Sequence, residues 1–486
     1  MTRPRRYLLI SALLVLAGLV GLSWQFFRLR FPNAFDRESE DAAEVEKLKA
    51  ADLARPTTAG ADWPQYLGPN RDGTAPADGF NTDWKAKPPT VLWTAPCGGG
   101  YSSCAVAGGR VYTQDRQGGS ERVLCLDAAD GKQLWAYEYP ADYSGLTLGY
   151  TDGPRATPTV YGGRLYAVGA VGRFVCLQLP ATPDAKPTLL WEHDLRAEFR
   201  AALPQWGYAG SPLVEGELVV VQPAGKDGAV AAFDRATGER RWAVGKTTNG
   251  YSSPVAATLG GVRQVVAVTG DAVLGIRVPD GQLLWEHPWV TQQGVNAAAP
   301  LVVGEYVFVS SDYGKGCTLL HVTAAGEGKA AAKVVYFRPG GRGLKSWHGT
   351  AVHRDGFVYG FDSRTFRCLD LRAGTLVDDY EGRDEANRLI TKGAVTRVGD
   401  QLVIQSETGG LYLADADPAV FKLRGQVTAQ LAGSQVVFAA VVSVAAVREQ
   451  LTGVLSGSQC WATPTVVNGR LFTRDGEKVV CLDVRK

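Results

Sequence analysis

Eight residues of this chain share one context: each stands immediately ahead of a degenerate repeated segment. They are Tyr101, Arg155, Ala209, Tyr251, Ala297, His348, Lys392 and Trp461. Six of the eight are large and can hydrogen-bond or present a ring, and neighbours Tyr208, Asn296 and Trp347 extend the set. Aromatic faces mixed with cations suit an anionic or sugar-like ligand, or an extended peptide. The plainer alternative is that these side chains pack among themselves. None of the eight is Asp or Glu, so a hard-cation site built from them is difficult to assemble.

Other chemistry finds little support. The histidines are His193, His287, His321, His348 and His353; His348 and His353 sit at i and i+5, which does not make a metal pair on a strand. There is no His-Glu-x-x-His, no phosphate loop with its Lys and no nucleophile-elbow Ser. The stretch Gly340 to Gly343 lacks the strand–helix frame of a dinucleotide site and reads as loop. The net charge of +2, with Lys and Arg scattered, gives no argument for nucleic acid.

The elements that position these residues repeat. "LCLDAADGKQLW" (Leu124 to Trp135) recurs as "AFDRATGERRW" from Ala232, "IRVPDGQLLW" from Ile276 and "CLDLRAG" from Cys368, and the chain ends on "VCLDVRK". Ahead of these comes a second signature, Ser/Thr-x-x-Val and then Gly-x-hydrophobic-aromatic, clearest in "ATPTVYGGRLYAV" from Ala156 and "ATPTVVNGRLFTR" from Ala462. Spacings of about 42 to 69 residues fall within or somewhat above the range of propeller blades. Each unit reads as four short strands: a hairpin split by Gly-Gly or Asn-Gly, a third strand, an Asp-x-x-x-Gly turn, and a fourth strand opened by Trp. A four-stranded sheet cannot bury both faces alone, so the units stack around an axis.

Seven copies are complete, and the last stops after its third strand at Lys486. The missing outer strand is expected from "VLWTAP" (Val91 to Pro96), whose Trp93 has no blade in front of it. The expectation is an all-β, eight-bladed propeller of four-stranded blades, or seven blades if the weak copy at Gly393 is not one. In either case the eight singled-out residues ring one mouth of the central channel.

The turn resembles the pyrroloquinoline-quinone (PQQ) repeat of quinoprotein dehydrogenases, which is shared by cofactor-free propellers including BamB, the outer-membrane assembly lipoprotein. The segment "DWPQYLGPNRDG" (Asp62 to Gly73) is similar to the start of a bacterial group of secreted PQQ-like propellers. The resemblance covers about residues 62–486. For a dehydrogenase it implies PQQ with calcium held by carboxylate and amide oxygens, an Asp base, an Arg at the quinone and a Trp platform, often with a disulfide of adjacent cysteines. This chain has no Cys-Cys pair and no acid at the eight positions. The expectation is therefore a binding or scaffold propeller without catalytic residues, metal or cofactor. A divergent PQQ-dependent dehydrogenase is the alternative.

Arg3, Arg5 and Arg6 precede an apolar run from Tyr7 to Phe27, long enough to span a bilayer and edged by Trp24, Phe26 and Phe27. Residues 1–30 are expected to be an uncleaved single-pass anchor with its N-terminus inside and the propeller extracytoplasmic at the bacterial cell membrane; a cleaved signal is the alternative. No Cys near its end offers lipid attachment. Residues 31–61 read as a charged, exposed helix and linker that spaces the propeller from the membrane. Residues 427–455 are an apolar insert before the last blade, read as a strand with a disordered or helical insert, with a membrane- or partner-touching hairpin as the lesser reading. Of eight cysteines, Cys125, Cys176, Cys368 and Cys481 share the third-strand slot as small interior residues, and Cys317 lies near a blade start or loop. Cys97 with Cys104, or either with Cys460 across the closure seam, are the pairings that topology allows.

Overall fold

Short apolar runs broken by Gly-Gly, Asn-Gly and Asp-x-x-x-Gly fold as antiparallel ladders, eight of them, arranged as a ring. The computed structural model describes residues 38–51, 53, 62–147, 152–182, 185–427 and 460–486. The innermost strands define blades 1 to 8 in order: Ala105–Ala107, Thr159–Tyr161, Leu213–Glu215, Val255–Leu259, Leu301–Val303, Val352–Arg354, Gly393–Val398 and Thr465–Val467. The weak copy at Gly393 is a full blade, ending on the outer strand Leu423–Val427. Blade 8 closes as its truncated repeat requires. Thr90–Pro96 pairs antiparallel with Lys478–Asp483, and Trp93 lies opposite Cys481 beside a bulge. The apolar clusters run between neighbouring blades rather than within them, as where Val220 and Trp242 of blade 3 meet Val265 and Leu274 of blade 4. Burying each such side chain contributes about 1.5–3 kcal/mol.

The repeated residues have specific tasks. Gly131 (φ +77°) and Gly281 (φ +72°) lie under the indoles of Trp93 and Trp242 of the preceding blades, where a Cβ would come within 2.5 and 2.6 Å of a ring carbon. Those two indoles donate from Nε1 to turn carbonyls of the next blade, Ala128 at 3.1 Å and Val278 at 2.9 Å. The signature Ser and Thr hydroxyls link blades at the channel wall. The backbone N–H of Thr463 donates to Ser103, that of Ser103 to Thr157, that of Thr157 to Ser211, and that of Ser211 to Ser253, at 2.8 to 3.1 Å. The first of these bonds crosses the closure seam.

The entry segment Asp62 to Gly73 crosses the far end of the channel. Trp63 exchanges backbone hydrogen bonds with Val106 of blade 1, and Val160 N–H of blade 2 donates to Pro64. Arg71 donates to the carbonyls of Ser211 and Pro212 of blade 3, Leu67 packs with Val255 and Val302 of blades 4 and 5, and the Tyr66 hydroxyl meets that of Thr350 at the start of blade 6. Thr74–Ala75 then adds in parallel to the inner strand of blade 7, and Asn81 N–H donates to Val484 of blade 8. A segment this short can reach inner strands on opposite sides of the ring only by crossing the axis.

Three expectations change. The segment 31–61, expected as an exposed spacer, is docked where described. Ser39–Glu40 pairs with the outer strand of blade 5, and the helix Ala42–Ala50, capped by Asp41, buries Leu48 against blades 5 and 6. Leu53 is buried with it. The thin apolar face suffices because Glu44 is held by Lys47 at 2.8 Å and His321 at 2.5 Å. No disulfide forms: all eight cysteines are free. Cys104 and Cys460 sit buried at blade starts, where burial pushes each thiol up to about 12.

 The third concerns Tyr208 and Asn296, which are packed inside blades rather than at the mouth. Tyr208 is buried between blades 2 and 3, with its hydroxyl on the Pro223 carbonyl. Asn296 is fully buried, donating to Thr269 and Trp289 carbonyls and accepting from Ser311.

The expected anchor, residues 1–30, and all of the 427–455 insert except Val427 lie outside the described residues. Among the described residues no helix is long and apolar enough to cross a membrane.

Candidate functional site

Tyr101, Arg155, Ala209, Tyr251 and His348 stand two positions before hydroxyls that join the blades, so those inter-blade bonds fix their backbone. Three residues there hold left-handed backbone: Tyr251 (φ +70°), Tyr313 (φ +60°) and Lys392 (φ +33°). Non-glycine residues adopt this region at a cost of about 1–3 kcal/mol, and such strain persists where the surroundings over-determine it. For Tyr251 the Asn249 side chain accepts its backbone N–H at 3.0 Å, and the Lys392 N–H is held by the Arg364 carbonyl.

The structure brings Tyr101, Arg155, Trp347, His348, Lys392 and Trp461 into one chain of contacts. The Trp461 ring lies 4.8 Å from Tyr101 and 4.7 Å from His348, centroid to centroid. The Arg155 guanidinium lies 5.6 Å over Tyr101, and Lys392 Nζ is 3.4 Å over Trp347. Tyr251 stands apart with Trp206, their rings edge-on at 5.7 Å. Ala209 and Ala297 contribute only methyl groups to this ring.

Electrostatics divide the cations. Lys392 Nζ is 4.0 Å from a Glu407 carboxylate oxygen, to which Trp461 Nε1 also points at 3.5 Å. Burial lowers Lys392 and raises Glu407 from their ordinary values. Burial, with the Lys392 charge nearby, takes His348 down to about 4, so its imidazole is neutral at pH 7; its Nε2 is buried without a hydrogen-bond partner. Arg155 donates to the Gly153 carbonyl at 2.8 Å, and among the described residues no carboxylate pairs with it. Burial lowers its affinity for the proton.

The acids around the mouth are occupied. Asp152, next in the chain to the Gly153–Arg155 turn, pairs with Arg116 instead of Arg155. Glu121 is fully buried and accepts from the Tyr139 and Tyr143 hydroxyls and from Ala170 N–H; burial raises its pKa. Asp115 receives two bonds from Arg122. Among the described residues no group of three or more His, Cys, Asp and Glu side chains is placed to hold a metal ion.

Sequence reading missed Glu407, Tyr313 and Trp206. Glu407 and Tyr313 lie in turns between second and third strands of their blades, "SETGG" and "SDYGKG", which the repeat signature leaves unconstrained. An acid or aromatic in those turns was the available signal, because they open on the same end of the blade as the mouth. Tyr313 accepts the Trp347 indole N–H at 3.2 Å.

The model of the family described as outer membrane protein assembly factor BamB matches residues 81–179 and 152–415, well over half of the chain. No curated protein matches. Among solved structures, the quinohemoprotein alcohol dehydrogenase from Comamonas testosteroni is similar at 14% identity and TM-score 0.56, over 91% of this chain and 83% of that one. The quinohemoprotein alcohol dehydrogenase ADHIIG from Pseudomonas putida HK5 aligns at 12% identity and TM-score 0.53, over 91% and 82%. The computationally designed Ika8 protein aligns at 12% identity and TM-score 0.51, over 81% and 99%. At such identities these three likenesses concern the fold alone. With its repeat turns, its ring of eight blades and the match to that family model, the chain belongs to the PQQ-like β-propellers described by BamB.

Proposed function

We propose that this chain is a membrane-anchored, extracytoplasmic binding or scaffold propeller that takes a protein or small-ligand partner at the channel mouth and carries out no redox chemistry. The observation that carries this reading is the division of charge at the mouth. Every acid described there is engaged by a cation or by hydroxyl donors, while Arg155 pairs with none of them. Aromatic faces flank it, and strained backbone at Tyr251 and Lys392 is retained there.

The same observation argues against a fit for PQQ and calcium. Calcium takes about 6–8 oxygen ligands, several of them anionic. Of the carboxylates near the aromatic cluster, Glu407 faces Lys392, and Asp312 accepts from the Ser363 hydroxyl and the Tyr313 N–H. The residues present do not fit the cation, so no catalytic step is derived through a quinone. The divergent dehydrogenase reading draws support from the shared fold only.

Anchoring rests on the sequence of residues 1–30, and the described chain begins beside the outer edge of blade 5. A photo-cross-linkable residue placed at Tyr251, on the mouth, and at Val420, exposed on blade 7, compares the two surfaces in intact membranes. A discrete adduct from position 251 and none from 420 is expected. Adducts from position 420 alone would move the partner surface away from the mouth.

A further inference from the structure

The channel is blind. The entry segment crosses its far end, with Leu67 and Arg71 almost completely buried beneath the inner strands. Arg71 reaches the carbonyl of Ser211, which lies two residues beyond the mouth position Ala209. At about 3.3 Å per extended residue, floor and mouth are therefore separated by roughly 7 Å. The crossing segment leaves a polymer no path through the ring, and the depth above it leaves room for the end of one.

Charge selects which end. Lys392 has Glu407 and the Trp347 face, and the His348 imidazole is neutral. Arg155 has a carbonyl and the Tyr101 ring, and no carboxylate among the described residues. Arg71, below, is likewise held by carbonyls and by Gln65, with burial taking it down to about 9. Two guanidinium groups near one short channel, neither ion-paired with a carboxylate among the described residues, make a positive potential focused by low-dielectric walls. A guanidinium with free donors recognises a planar carboxylate by paired hydrogen bonds. Tyr101, buried between Arg155 and Trp461, backs the guanidinium, and the half-buried Tyr251–Trp206 pair offers ring surface to an apolar side chain beside that carboxylate.

We propose, resting on the binding reading above, that the mouth captures the C-terminal carboxylate of a partner polypeptide on Arg155. The partner enters end-first and does not thread the ring.

The test uses the full-length chain in detergent and a fluorescein-labelled pentapeptide, Ala-Ala-Ala-Ala-Phe, as free acid and as C-terminal amide, read by anisotropy. The acid is expected to bind at least tenfold more tightly than the amide. Arg155→Gln should abolish that preference, Arg155→Lys should keep part of it, and thermal unfolding should show both variants folded. Tyr251→Ala should weaken both peptides. Equal binding of acid and amide, weakened by Tyr251→Ala, would overturn carboxylate capture while leaving the mouth as a binding surface. Binding that neither variant changes would overturn the mouth reading as well. Failure of the acid to bind at millimolar concentration would overturn the capture of a terminus as a general property of the site.

Discussion

Gly131 shows how much of this molecule is settled one residue at a time. It combines a left-handed backbone with a ring carbon of Trp93 standing where a Cβ would be, so Gly131→Ala meets both strain and a clash. The expected loss is about 1–3 kcal/mol. Trp93→Ala removes a buried aromatic at the closure seam and should cost about 3–5 kcal/mol. Because the two act on one contact, the double variant should lose less than the sum in urea denaturation. Additive losses would show that the seam does not depend on this contact. Both residues were legible in the sequence because their spacing recurs wherever one blade meets the next. Glu407 and Tyr313 were not, since turns between second and third strands carry no such repetition. Tyr208 was misplaced for a geometric reason. It neighbours a mouth position, and successive side chains of an extended segment point to opposite sides. Tyr208 accordingly turns into the core between blades while Ala209 stays at the mouth.

At the scale of elements, the docked helix Ala42–Ala50 depends on a carboxylate. Burial raises Glu44, but hydrogen bonds and charge from Lys47 and His321 outweigh it and hold the pKa below its ordinary 4.5. A folded pKa below the unfolded one means the stabilisation is present above about 4.5 and is lost as pH falls through the lower folded value. Amide exchange over residues 42–50, corrected for intrinsic rates, should therefore show weaker protection at pH 3.5 than at pH 7. Glu44→Ala should lower protection already at pH 7, since it leaves His321 without this partner, a loss of about 1–3 kcal/mol. Unchanged protection in both experiments would show that Leu48 and Leu53 hold the helix unaided. The charged sequence around this helix suggested an exposed spacer because its partner lies 277 residues further on. The entry segment was legible as a motif but not as a floor, for the same reason: its contacts are with inner strands from every part of the chain.

For the whole molecule, the eight-bladed ring was readable because one interface is written repeatedly, and the final strand was readable because Trp93 lacked a blade. On the proposed reading, membrane association rests on the sequence ahead of the docked segment. Removing residues 1–37 should release a folded, soluble propeller, whereas the intact chain should sediment with membranes; a soluble mature form beginning near residue 25 would favour a cleaved signal. Removing residues 1–76 deletes the floor that ties opposite blades together and should lower the melting temperature markedly.

On the proposed reading this ring binds and does not oxidise. The most direct measurement is alcohol-dependent reduction of an artificial dye by the purified protein after incubation with PQQ and calcium. With Lys392 facing the mouth carboxylate Glu407, and Arg155 nearby paired with no carboxylate among the described residues, the expected result is no alcohol-dependent reduction above that of PQQ and calcium alone. Stoichiometric quinone binding accompanied by alcohol-dependent dye reduction would contradict it and make this propeller an oxidoreductase.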